Sequence, residues 1–531
     1  MKAHPLHAAL AVALLSLSGG LLAKPLVVCT EASPEGFDIV QYTAATTADA
    51  VSETIFNRLV DFVPGTTDIE PGLASSWDIS ADGLTYTFHL RQGVKFQTTD
   101  YFKPSREFNA DDVLWSFERQ LDPKHPWHEQ TSFGYPYFET MGFKDLIARI
   151  DKVDDHTVTF TLKRAEAPFL RDMAMGFTSI YSAEYGDQLL KQGKQADLNS
   201  KPVGTGPFIF SRYNKDAQVR YKANPDYYKG KPPADPLVFA ITVDSNVRMQ
   251  KIRANECQVA VYPKPDDIKA LKADPNLRVE EMDALMTSFL GINTQHKYLS
   301  DIRVREAIAL ALDKQNFVRT LFGEGNATPA VGPYPTTLLG YNRALVDTPY
   351  DPARARELLK QAGVPEGTVL TVFTRNGGGA TNPNPALGAQ LLQADLAKVG
   401  LKVDIHVLEW GELLKRLKSG EHDLGFYGWA GDNGDPDNFL APNLSCAAAS
   451  NGENIARWCD KDFDALLAGA RATTEPAKRA ALYEQAQVIF QQQHPWIALA
   501  YPKLFTVTRT DVEGFHISPL TNNNFATTHV K

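Results

Sequence analysis

The 531-residue chain has only four cysteines, no cluster of lysine and arginine, and no long apolar run beyond its first two dozen residues. Without a basic patch, and with a formal net charge of −9, it has no electrostatic footprint for nucleic acid or an anionic membrane surface. Past residue 23 no apolar stretch approaches the roughly 18–20 residues that span a bilayer, so stable membrane insertion is not expected. No GxSxG elbow, HExxH pair or GxxxxGK[ST] loop occurs, which removes the commonest nucleophile, zinc and nucleotide sites. What is present is an ordinary globular composition, 43% hydrophobic and 22% charged, which argues against disorder. The length exceeds one compact core and implies roughly two to four domains.

The N-terminus has the grammar of a secretory signal: Lys2, an apolar core from Ala8 to Leu17, and small residues ending at Ala23. Removing residues 1–23 takes away one lysine and no acid, leaving a charge of −10. Cys29 follows Val27-Val28 rather than a small residue, which argues against lipid attachment. The expected product is exported and soluble, in an oxidising compartment. There the four cysteines, Cys29, Cys257, Cys446 and Cys459, allow three pairings. Cys446 and Cys459 lie 13 positions apart in a loop-like stretch and form the natural local pair, which leaves Cys29 with Cys257. No CxxC or CxxxH spacing supports zinc instead. His125 and His128 flank Pro126 in KHPWHEQ, a loop rather than a metal-binding helix face.

Residues 60 to 200 read as hairpins, with TYTFHL (85–90) after Asp82-Gly83 and VDDHTVTFTL (153–162) repeating the pattern. FNADDVLWSFERQL begins a helix at the cap Asn109. After residue 280 strands and helices alternate. DPARARELLKQAG has Asp351 as cap, Pro352 at the first helical position and Gly363 as stop. Strands are expected at 370–374, 401–410 and 423–430, with a helix over about 385–399. Such βαβ units imply a mostly parallel sheet with helices on both faces.

The stretch GWAGDNGDPDN, Gly428 to Asn438, follows the last of these strands. Asp432 sits just past the strand's carboxyl end, where ligand crevices form in α/β sheets. Arg375 follows the 370–374 strand and Trp410 ends the 401–410 strand, so three separate strands deliver a carboxylate, a guanidinium and an indole towards the same edge. A calcium loop fails on spacing, because the twelfth position from Asp432 is Asn443 rather than glutamate. Asp435, Pro436 and Asp437 are suited to a turn and a helix start. Asp432, close to Trp429, is better suited to an ammonium group, with charge-assisted hydrogen bonds and indole faces acting together.

Several blocks then carry a family resemblance. PGLASSWDISADGLTYTFHLRQGVKF (71–96), FNADDV (108–113), PVGTGPF (202–208), YKANPDYYKG (221–230) and DIRVREAIALALDK (301–314) resemble the extracytoplasmic peptide-binding proteins of ABC importers. CTEASPEGFD, ANECQVA, EWGELLKR, GWAGDNGDPDNF and the Cys446–Cys459 pair look most like the dipeptide-binding subgroup. The resemblance implies an α/β, two-lobed periplasmic-binding-protein-like fold of type II with an extra α+β middle domain. Its expected parts are lobe I at 24–60, 200–280 and 495–531, the extra domain at 61–199, and lobe II at 281–494. It implies that Asp432 meets a peptide α-ammonium, that Trp429, Gly431 and Trp410 lie near the ligand, and that Tyr42, Thr43 and Ala44 offer backbone partners. The family's arginine for the ligand carboxylate falls at Gly379, three residues before Asn382-Pro383-Asn384. Either Arg375 swings in, or the ligand extends past its second residue, or it lacks a carboxylate there.

The expected protein is therefore a periplasmic, monomeric solute-binding component that delivers short peptides to inner-membrane permease subunits, without cofactor, metal or catalysis. An amine-bearing opine, metal chelate or haem is the alternative ligand. A secreted hydrolase, a peptide sensor and a periplasmic chaperone are alternative classes.

Overall fold

The computed structural model describes residues 24–131, 134–451 and 453–531, so the expected signal segment, 1–23, lies outside the described residues. A twelve-stranded sheet runs through the molecule. Its outer strands on one side are Lys402–Leu408, Val369–Arg375 and Leu424–Ala430; on the other they are Leu26–Thr30, Leu237–Ile241, Gln218–Ala223 and Phe208–Asn214. Val369–Arg375 pairs in parallel with Lys402–Leu408 and with Leu424–Ala430, as successive βαβ units require. Leu26–Thr30 pairs in parallel with Leu237–Ile241 and Val259–Val261. The sheet as a whole is mixed rather than mostly parallel. Its central strands, Met286–Ile292 and Trp496–Arg509, run antiparallel to their neighbours.

Those central strands join the two sides. Trp496–Arg509 pairs with Met286–Ile292 through its first half and with Leu277–Asp283 and Val259–Val261 through its second. Pro502, which can donate no ladder hydrogen bond, stands between the two halves. Leu277–Asp283 and Met286–Ile292 are consecutive strands separated by Ala284-Leu285, so this second connection crosses at the same level. Apolar side chains cover both faces of the 286–430 side, with Leu290, Val372 and Phe426 in one cluster and Phe289 and Phe373 in another. Helix Pro352–Gln361 starts as read, with Asp351 accepting from the Arg354 amide at 2.9 Å and Gly363 beyond its end at φ 70°.

A separate four-stranded antiparallel sheet comprises Ala74–Ile79, Thr85–Leu90, Thr157–Leu162 and Ile147–Asp154. Helix Ala110–Leu121 packs on it, with Phe117 edge-on to Phe160 at 4.9 Å. Asn109 and Asp112 form a reciprocal capping box at its start. The helix is tied to the first segment of the chain by a buried pair, Arg119 to Asp38 at 2.6 Å. Both disulfides are present, Cys29–Cys257 with Cα atoms 5.8 Å apart and Cys446–Cys459 with Cα atoms 4.4 Å apart. The first lies in a small apolar cluster with Met249, Ile252 and Leu271.

One boundary differs from the sequence reading in a way that moves a site residue. The strand expected to end at Trp410 stops at Leu408. Glu409 instead caps a helix, accepting from the Glu412 amide at 3.2 Å, and Trp410 is that helix's first residue. The acid's affinity for free amide donors at a helix start outweighs the β-propensity of the tryptophan.

Candidate functional site

Asp432 is held by backbone and side chain together. The strand Leu424–Ala430 ends at Ala430, and Gly431 donates from its amide to Leu285 O at 2.7 Å. A β-carbon at position 431 would stand 2.6 Å from the Phe439 ring, so only glycine lets the chain turn here. Asn438 then receives both the Asp432 amide, at 2.7 Å, and the Trp429 indole N–H, at 3.3 Å. One amide oxygen thereby fixes the acid and the aromatic wall relative to each other.

The Asp432 carboxylate is 9% exposed, and Tyr137, from helix Pro136–Thr140, donates its hydroxyl to Oδ2. Burial lifts the carboxyl to about 7, against the hydrogen bonds from Tyr137 and Asn438 that favour its ionised form. No cation contributes to that balance. Tyr137 also meets Trp429 edge-on, with ring centroids 6.1 Å apart.

Asp432 opens on a cavity of about 620 Å³ of empty space, including open solvent at its mouth. Trp429, Trp410, Thr43, Ala44 and Arg375 line it with Asp432. Gly431 and Tyr42 do not: the glycine serves the turn, and the Tyr42 hydroxyl accepts from Asn199 Nδ2 at 2.7 Å in a partly buried contact. The structure adds lining residues that the sequence reading missed, Glu31, Tyr262, Thr381 and Tyr427 among them. Tyr427 stacks on Trp410 at 6.3 Å with an interplanar angle of 15°. It is two residues before Trp429 on one strand, so period-two alternation was the available signal. Tyr137, which reaches Asp432, and Glu31, which reaches the cavity, had none, since they come from remote parts of the chain.

A polar strut crosses beside the cavity. Glu453 accepts from Thr43 Oγ1 at 2.6 Å and from Tyr427 at 2.9 Å, and pairs with Lys418 at 2.9 Å. Burial raises the Glu453 carboxyl, but Lys418 and these hydrogen bonds outweigh it and leave it below its ordinary range. At neighbouring Glu35 burial outweighs Lys418 and the hydrogen bond from Thr47, and pushes the carboxyl up to about 7.

The other two aspartates of the loop are more than turn residues. Asp435 receives both terminal nitrogens of Arg479, at 2.6 and 2.7 Å. Asp437 receives Arg471 Nε at 2.8 Å. Both acids are buried, and each is matched by a buried arginine.

A larger opening, about 1060 Å³ including open solvent, lies elsewhere, beside Arg58, Asp61 and Lys229. Its charges answer one another: Arg58 to Glu53 at 3.1 Å and to Asp61 at 3.2 Å, and Lys229 to Asp61 at 3.1 Å. A charged ligand finds unmatched partners at Asp432, not there. Among the described residues no three of His, Cys, Asp and Glu are grouped to hold a metal ion. No described helix is long and apolar enough to cross a membrane.

Known proteins resemble this chain in sequence and in fold. Residues 68–451 match the bacterial extracellular solute-binding proteins, family 5 Middle. The chain is 68% identical to di/tripeptide-binding protein 4 of Pseudomonas aeruginosa (strain UCBPP-PA14), over 99% of each chain. Its fold is similar to the dipeptide-binding protein of Pseudoalteromonas sp. SM9913 in complex with Met-Leu, at TM-score 0.93 and 35% identity, covering 96% of this chain and 100% of the other. It is also similar to the ABC transporter-associated periplasmic binding protein DppA from Helicobacter pylori in complex with peptide STSA, at TM-score 0.91 and 39% identity, covering 95% and 98%.

Proposed function

Because this chain belongs to the bacterial extracellular solute-binding proteins of family 5, we propose that it captures di- and tripeptides for an ABC importer and hands them to inner-membrane permease subunits. The observation that carries the ligand class is Asp432, a buried carboxylate that has no cationic partner and faces the cavity. An α-ammonium supplies the missing charge, and Trp429 gives it an indole wall.

Capture works by closure. The lobe I segments 24–60, 200–280 and 495–531 carry Thr43 and Ala44, while lobe II, 281–494, carries Asp432, Trp429 and Trp410. Residues 61–199 form the extra domain and bring Tyr137 to Asp432. The two lobes rotate about the paired crossings at Ala284-Leu285 and Pro502, and a ligand touching both stabilises the closed form. The Thr43–Glu453 bond spans the lobes and is remade at each closure. The protein acts as an exported monomer in the periplasm, with residues 1–23 removed, and performs no covalent chemistry.

The test is a thermal-shift screen on refolded, ligand-stripped protein with di-, tri- and tetrapeptides and their N-acetylated forms. Free-amine peptides are expected to raise the melting temperature, and both acetylation and Asp432→Asn to abolish the rise. No rise with any peptide would exclude peptide capture. Loss of peptide uptake in cells lacking this chain tests delivery to the permease.

A further inference from the structure

The residues just after Asp432 face away from the cavity. Asn433 is fully buried, and its side-chain amide donates to Asp172 Oδ1 at 2.7 Å. Its side-chain oxygen accepts from the Asp435 amide at 2.8 Å, so one side chain shapes the loop and bonds outside it. Its backbone carbonyl accepts from Arg171 Nη1 at 3.3 Å, and that nitrogen also donates to Thr67 O at 2.6 Å. Gly434, at φ 72°, lies against the same threonine: a β-carbon on it would stand 2.9 Å from the Thr67 β-carbon. Thr67, Arg171 and Asp172 belong, like Tyr137, to the extra domain, yet none of the three lines the cavity. Each part of the loop thus addresses a different body. Asp432 faces the ligand, Asn433 and Gly434 face the extra domain, and Asp435 and Asp437 face the arginines of lobe II.

Chain connectivity and buried bonds tie the extra domain to lobe I. The chain enters it after residue 60 and leaves it at residue 200, both in lobe I. Across that boundary Arg119 pairs with Asp38, to which Tyr181 also donates at 2.8 Å. Gln97 Nε2 donates to the carbonyls of Ile55, Gly206 and Phe208 at 3.2, 3.1 and 2.9 Å. The Ile180 amide donates to Asn57 O at 2.9 Å. The bonds to Asn433 cross instead to lobe II, where no chain connection accompanies them.

We propose that the extra domain is the latch of closure: riding on lobe I, it lands on the loop that carries Asp432, with Arg171 and Asp172 as positioning residues for peptide capture that never touch the peptide. This rests on the peptide reading of the Asp432 cavity and on the division into lobes given with it. A peptide at Asp432 and the extra domain at Asn433 hold one short loop from two sides, so engagement of either favours the other. Hydrogen bonds to a backbone carbonyl and a neutral amide suit a contact that is made and broken in every cycle, because water replaces them when the lobes part.

The experiment is calorimetric titration of the mature protein with Ala-Ala, in wild type, Arg171→Met, Arg171→Lys, Asp172→Ala and Asp172→Asn. Amide hydrogen exchange of residues 166–176 is followed alongside in wild type, with and without Ala-Ala. Arg171→Met and Asp172→Ala are expected to bind about tenfold weaker, the ratio for losing one hydrogen bond from the closed form. Arg171→Lys keeps a donor and Asp172→Asn keeps an acceptor, and each is expected to recover most of the loss. Residues 166–176 are expected to exchange more slowly once Ala-Ala is present, although they lie outside the cavity. A permanent structural contact would instead give the same exchange in both conditions. If Asp172→Ala does not fold, Arg171→Met decides. Affinities within about twofold of wild type in both truncated variants, or exchange unaltered by Ala-Ala, would overturn the latch and leave peptide capture standing. Failure of Ala-Ala to bind wild type would overturn both.

Discussion

Within six residues of one loop, Asp435 and Asp437 each bind an arginine, while Asp432 has none. All three carboxylates are buried, so all three carry the cost of leaving water. Asp435 and Asp437 recover it from Arg479 and Arg471, on the two helices Lys461–Ala472 and Pro476–Gln493. The Asp432 carboxylate recovers only what a tyrosine hydroxyl and an asparagine side chain contribute. Where the chain needs rigidity it supplies the counter-charge, and where it needs a ligand it withholds it.

Removing a paired acid should do the most damage. Asp435→Ala strands Arg479 in the interior and is expected to lower unfolding free energy by about 3–5 kcal/mol, read by denaturant titration. A loss under about 1 kcal/mol would erase the distinction between the two kinds of aspartate. Asp432→Asn should do the reverse. The ligand-free protein keeps its stability or gains some, while peptide affinity falls by about 2–5 kcal/mol in calorimetry.

Proton linkage sharpens the contrast further. The folded carboxyl of Asp432, raised to about 7, holds a proton that the unfolded chain has released. It therefore favours the ligand-free fold below the ordinary carboxylate range, and that contribution is lost as pH rises through about 7. A peptide ammonium pairs only with the ionised form. Affinity is expected to climb about tenfold per pH unit toward pH 7, level off, and decline once the peptide's own amine deprotonates near pH 8. Titrations at pH 5 to 9 read this directly, and Asp432→Asn should lack the acid limb. The smallest effect is expected for Tyr137→Phe, about 1 kcal/mol in affinity, with the acid limb moved to higher pH because a hydrogen bond to the ionised carboxylate is gone.

Local grammar made much of this legible. Asp351-Pro352 marked a helix start and TYTFHL a strand, because caps and alternation act over a few residues. Asp432 stood out for the same reason, being the first acid after a strand end. Asp435 does make the turn, accepting from the Asp437 amide at 2.9 Å, but the ion pairs of Asp435 and Asp437 were not legible, because their arginines come 44 and 34 residues later. No short-range pattern announces such a partner. Tyr137 is 295 residues from Asp432, and its approach depends on how the four-stranded unit docks. The mixed character of the sheet escaped for a related reason. Its antiparallel centre is built from strands that cross between halves, and a crossing has no signature along the chain.

The strand Trp496–Arg509 has a consequence for how the molecule is made. It is the shared seam of both half-sheets, and it is nearly the last strand to be synthesised. A chain halted anywhere before Trp496 leaves Met286–Ile292 without one neighbour and Val259–Val261 without one of its two, however well the preceding elements have formed. Neither half can reach its final sheet until the last stretch arrives, so the chain stays open for most of its own assembly and closes from its end.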